Sequence, residues 1–135
     1  MYRRHLFLSF LVTIAMLLAS LGCKSKASLD ADVDHLLVAI STSDYDHFKA
    51  DAHPALAKEL SKEQFDRMAK VLKGLGPLKT KSMKSISVKA GAPSEGHYEM
   101  QFANGSATLE IKSLDGKLVG FNFSGPDVTR LSRGQ

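Results

Sequence analysis

His97–Phe123 reads HYEMQFANGSATLEIKSLDGKLVGFNF, a stretch whose period is two. Tyr98, Met100 and Phe102 alternate with His97, Glu99 and Gln101, and Ala107, Leu109 and Ile111 alternate with Thr108, Glu110 and Lys112. Val119, Phe121 and Phe123 alternate with Gly120 and Asn122. Successive side chains of a strand point to opposite faces, so each run predicts a strand with one apolar and one wet side. Asn104-Gly105 and Asp115-Gly116 stand between the runs, and these dipeptides favour the positive φ angles of a two-residue hairpin. Upstream, Ser82–Ala90 alternates with Ile86 and Val88 on one side, and Gly91–Gly96 forms the loop that follows. The expectation is a four-stranded antiparallel meander, wet on one face.

Before the strands the period is near four. Leu29, Val33, Leu36, Leu37 and Ile40 share one helical face, and Asp30, Asp32 and Asp34 crowd its first turn, where the helix dipole favours negative charge. Ser43 with Asp46 opens a second helix carrying Tyr45 and Phe48, which His53-Pro54 breaks. Ala55–Leu60 is expected to add one short turn. Ser61-Lys62-Glu63-Gln64 is a capping box for a third helix with Phe65, Met68, Ala69 and Leu72 on one face, stopped by Gly74, Gly76 and Pro77. Three helices packed on the apolar side of a four-stranded meander make an α+β domain over residues 29–126. Residues 127–135 read as a flexible tail.

The first 22 residues differ in kind. Arg3 and Arg4 precede Leu6–Leu21, sixteen residues without a charge. At about 1.5 Å per residue the run spans roughly 24 Å, short of the ~30 Å hydrocarbon core. A basic head before a short apolar run ending in small residues predicts a secretory signal. Ala19-Ser20-Leu21-Gly22-Cys23 closes it, and Cys23 is the one cysteine of the chain. This segment resembles the lipobox of bacterial lipoproteins, with Ser20 and Leu21 in swapped order. The resemblance implies cleavage between Gly22 and Cys23 and lipid attachment at Cys23, with residues 23–28 as lipidated terminus and tether. Lys24 after the cysteine implies outer-membrane delivery facing the periplasm if the source has two membranes. A single acyl chain binds a bilayer only marginally, at about 0.8 kcal/mol per buried methylene, whereas two or three hold permanently.

Tyr45-Asp46-His47-Phe48, Leu60-Ser61-Lys62-Glu63-Gln64-Phe65 and Gly105–Phe123 carry a second likeness. Over residues 29–123 the chain resembles small bacterial domains of unknown function in the nuclear-transport-factor-two-like, cystatin-like superfamily. That implies a curled sheet wrapping helices into a cone, with a candidate apolar pocket at Phe48, Phe65, Met100, Phe102 and Phe121. A fold of this kind hosts enzymes and binding modules alike and settles no function.

With 135 residues, a net charge of +4 and one cysteine, the chain is neither a disulfide scaffold nor a strongly basic nucleic-acid binder. Arg3 and Arg4 carry two of those charges, leaving +2 beyond residue 22. Asp44, His47, Asp51 and His53 are the one ligand-like cluster, but their spacing matches no metal motif, and they read as a solvated helix face and a turn. His97 falls on the wet face of its strand, away from the enclosed setting a general base needs. No nucleophile motif or phosphate loop is present, and no cofactor is expected. Arg67–Ser94 holds seven bases and no acid. Lys70, Lys73, Lys79, Lys81 and Lys84 are candidates for contact with anionic headgroups, or simply solvate a helix and an edge strand. No aromatic residues are interleaved with them for stacking on nucleic acid. The expected protein is a lipid-anchored envelope protein with a non-catalytic binding or scaffolding domain. The alternatives are a carrier of a small apolar ligand or an enzyme using the cone.

Overall fold

The computed structural model describes residues 26–134, so the signal segment, Gly22 and Cys23 lie outside the described residues. Helix α1 covers residues 26–41, and α2 (Tyr45–Asp51), α3 (Pro54–Glu59) and α4 (Lys62–Gly74) follow it. Strands β1 (Leu78–Ser87), β2 (Ser94–Phe102), β3 (Gly105–Leu114) and β4 (Lys117–Ser124) come next, and α5 (Pro126–Arg133) closes the described chain. The strands pair antiparallel in the order β1-β2-β3-β4. The fold is α+β with a meander sheet, and no helix of the described residues is long and apolar enough to cross a membrane.

The period-two reading holds best in the central strands. Tyr98, Met100, Phe102, Ala107, Leu109 and Ile111 are all buried on the helix side, while Glu99, Gln101, Glu110 and Lys112 are exposed. Lys112–Glu95 (3.0 Å) and Lys84–Glu99 (3.2 Å) pair charges across the wet face, each an exposed contact worth little alone. Leu29, Val33, Leu36 and Ile40 of α1 meet Phe48, Phe65, Ala69 and Leu72 in one core above the sheet.

Several details depart from the sequence reading. Four helices rather than three precede the sheet, because the turn expected at 55–60 is the helix α3, started by Pro54 and capped by His53. Tyr45 explains its persistence: the phenol donates to the Leu60 carbonyl (2.6 Å), satisfying an end that has no internal partner. The second helix is capped by Asp44, which accepts the His47 N–H (2.9 Å), and not by Ser43. Ser43 instead sits at φ 53° and ends α1 in a Schellman arrangement, with Ser43 N–H on Ile40 and Asp44 N–H on Ala39.

The flexible tail expected at residues 127–135 is replaced by α5 over Pro126–Arg133. Its Leu131 packs where a β-carbon on Gly74 would stand, and its Asp127 accepts the Ser106 N–H (3.0 Å). Ile86 and Val88, expected to face one way as strand residues, are exposed, since β1 is an edge strand that begins earlier and ends at Ser87. In β4 the register shifts opposite Lys112 and Ser113, so Leu118 rather than Val119 fills the core at its start.

Candidate functional site

A groove opens where α1 and α4 end beside the start of β1. Its origin is local. The core stripe of α1 brings Leu37 and Val38 to the sheet's edge, and α1 stops at residue 41 before it can cover them. α4 ends at Gly74 with Leu75 as its cap, and Gly76 at φ 81° reverses the chain so that Leu78 pairs with Phe102. A β-carbon at Gly76 would stand 3.0 Å from the Ala103 β-carbon, so both space and backbone demand glycine there. The result is a cavity of about 580 Å³ walled by Leu37, Val38, Leu72, Pro77, Leu78 and Phe102. Val38 remains 50% exposed and Leu78 40% exposed, so the groove opens to solvent.

Polar groups stand only at its rim. Lys73 donates to the Ser43 hydroxyl (2.6 Å), Lys81 pairs with Asp34 (2.5 Å), and the Ser41 hydroxyl is turned back onto the Val38 carbonyl (3.0 Å). Such a groove holds an apolar group by burial, at roughly 25 cal/mol per Å² removed from water. Its one carboxylate is already bound in an ion pair.

The five residues expected to line one pocket do not share it. Phe48, Phe65 and Met100 are buried in the core, with the Phe48 ring 5.3 Å from Phe65 and 5.8 Å from Phe121. Phe102 walls the groove just described. Phe121 lines a second cavity of about 530 Å³, with Met68, Phe123 and Val128, beside α5. The residues missed by the sequence reading are Val38, one position off the helical stripe, and Leu78, which lies ahead of the strand as first bounded.

The titratable residues are also dispersed. Asp44 and His53 are spent as helix caps, the latter accepting the Ala55 N–H through Nδ1 (3.2 Å). His47 and Asp51 do meet, at 3.3 Å, and α1 adds His35 at 3.5 Å from the same carboxylate. Among the described residues no group of three or more His, Cys, Asp or Glu side chains is placed to hold a metal ion. Nearby, burial raises the Asp32 carboxyl above its ordinary pKa, while the Ser113 hydroxyl (2.5 Å) and His35 pull it down. Burial raises the Tyr98 phenol as well, helped by its hydrogen bond to Asp30 (2.8 Å). His97 lies on the wet face, 3.6 Å from Glu110. Of the five candidate headgroup lysines, Lys70 and Lys73 lie on α4, while Lys79, Lys81 and Lys84 lie on β1. Lys81 turns toward α1, whereas Lys84 reaches the wet face, so the basic run is divided between surfaces.

No protein-family model matches the sequence, and no curated protein is similar to it.

Proposed function

We propose that the chain is a lipid-anchored protein of the bacterial cell envelope whose α+β domain binds or scaffolds. The observation that carries this reading is Ala19-Ser20-Leu21-Gly22-Cys23, which ends an uncharged run and holds the sole cysteine immediately before Lys24. Lipid on that sulfur moors a domain in which no described helix is long and apolar enough to cross a membrane, and Lys24 favours the outer membrane where there are two. Helices packed on one side of a meander agree with a cystatin-like cone, and an open apolar groove with rim-bound charges favours binding over chemistry. The test is the intact mass of the protein purified from membranes. The mass expected is that of a chain beginning at Cys23 with diacylglycerol attached. A Cys23→Ser chain is expected to stay uncleaved and unacylated, and normal processing and membrane partitioning of that variant would end the reading.

A second reading follows from the groove itself: its volume and apolar walls suit an aliphatic ligand, making the domain a carrier. Native mass spectrometry of protein from its own source separates the two, because a carrier retains a bound apolar molecule and a scaffold does not.

A further inference from the structure

Ile86 and Val88 are two of four large apolar side chains exposed among the described residues, at 39% and 52%. Ile86 stands one position before the end of β1 and Val88 one position past it, where β1 runs into the 88–93 connection. Ile86 pairs with Gly96, and the bare face of Gly96 carries Leu29 of α1. From there α1 travels along the sheet, with Asp30 bonded to Tyr98 (2.8 Å) and Asp34 to Lys81 (2.5 Å), toward the turn at 103–104. Residue 26 therefore emerges at the same end of the domain as Val88. Cys23 is three residue steps from it, a reach of at most about 11 Å.

We propose that this end of the domain is a bilayer-docking face, with Ile86 and Val88 seated among the headgroups. The proposal rests on the anchored reading above. Exposed lysines stand at this end with the apolar pair, together with carboxylates. Lys89 follows Val88, Lys26 is exposed at the same end of the domain, and Lys24 follows Cys23 in sequence. Among the described residues, only Glu95 of the acids at this end is neutralised by an ion pair, with Lys112 (3.0 Å). Asp30 and Asp32 accept from the neutral hydroxyls of Tyr98 and Ser113, and Asp115 stands at the adjacent turn. Contact with the bilayer therefore rests on the aliphatic pair and the tether rather than on net charge. Lysines attract an anionic surface, and the aliphatic groups add burial. Lys73 and Lys79, beside the Leu78–Phe102 pair, belong to the far end. That end, with the apolar groove, is turned toward the aqueous side, where a partner or ligand can reach it.

The chain has no tryptophan, so one introduced residue reports its own depth. Val88→Trp is made in the full chain, expressed in a lipoprotein-processing bacterium, and reconstituted into phosphatidylethanolamine–phosphatidylglycerol vesicles with brominated acyl chains. Gln101→Trp, roughly 20 Å away along β2 on the wet face, is the reference. A side chain about 5–10 Å below the headgroup boundary is expected to shift its emission to the blue and to be quenched at least about twofold more than the reference. Ile86→Trp gives the same result independently should the first variant fold poorly. Equal quenching at both positions, with acylated Cys23 in the intact mass, overturns the docking face and leaves the anchor standing. A bare Cys23 removes the anchor: stronger quenching at position 88 then supports the face as an intrinsic membrane contact, and its lack overturns both.

Discussion

Asp32 and Ser43 show how single residues carry strain that their neighbours hold in place. Burial lifts the Asp32 carboxyl above its ordinary value of 3.8, so the folded chain keeps a proton there that the unfolded chain has released. Its contribution to stability is therefore greatest in acid and falls as pH rises through the window above 3.8. Asp32→Asn, which still accepts the Ser113 hydroxyl, is expected to raise the melting temperature at neutral pH and to flatten that fall. Thermal melts over a pH series measure it, and a lower neutral-pH melting temperature would count against burial as the dominant cause. Ser43 occupies the left-handed region that L side chains enter at a cost of roughly 1–2 kcal/mol. Ser43→Gly removes that cost and loses only an exposed bond from Lys73, so chemical denaturation should show a gain of about 1 kcal/mol.

The two hairpins show how far a dipeptide can be read. Asp115 and Gly116 both take positive φ between Leu114 and Lys117, as their identity predicts. At the other turn Phe102 pairs with Gly105, so the turn residues are Ala103 and Asn104, one position earlier than the Asn-Gly signal places them. Their N–H groups donate to Pro77 (2.9 Å) and Leu75 (2.8 Å), which pins the turn from outside its own hairpin. No local reading of Asn104-Gly105 contains that contact.

At the scale of elements, the same distinction separates α4 from α5. The capping box of α4 is visible in sequence and complete in the structure, with Ser61 accepting the Gln64 N–H (3.2 Å) and Gln64 accepting the Ser61 N–H (2.9 Å). α5 is eight residues long with no side-chain cap, too short to stand alone in water. It persists because Leu131 and Val128 lie against the core and Asp127 is tied to β3. Leu131→Ala is accordingly expected to cost about 1–2 kcal/mol, less than the ~2–5 kcal/mol of a fully buried leucine. Proteolysis within α5 should rise with it. An unchanged cleavage rate would mean that Asp127 and the helix ends hold the segment unaided.

For the whole molecule, the groove is the consequence of where three elements stop. α1 ends at 41, α4 ends at Gly74, and β1 starts at Leu78, so a wedge of apolar wall is left open between them. Because Val38 and Leu78 are already half in water, Val38→Asp with Leu78→Asp should leave the melting temperature within a few degrees of the parent. Binding of an apolar fluorescent probe should weaken by roughly tenfold or more, the effect of setting charge in an apolar site. Unaltered probe binding would place the site elsewhere, with the cavity beside α5 as the next candidate.

The amino-acid sequence alone determined the class of fold, the parity of the central strands, the capping box at Ser61 and the hairpin at Asp115-Gly116. Each of these depends on groups within a few positions along the chain. Tertiary structure decided what depends on distant partners: the helical state of residues 126–133, the burial of Leu118 in place of Val119, and the separation of Phe102 and Phe121 into different cavities. Periodicity tells which way a side chain points, but only the ends of neighbouring elements determine whether anything covers it.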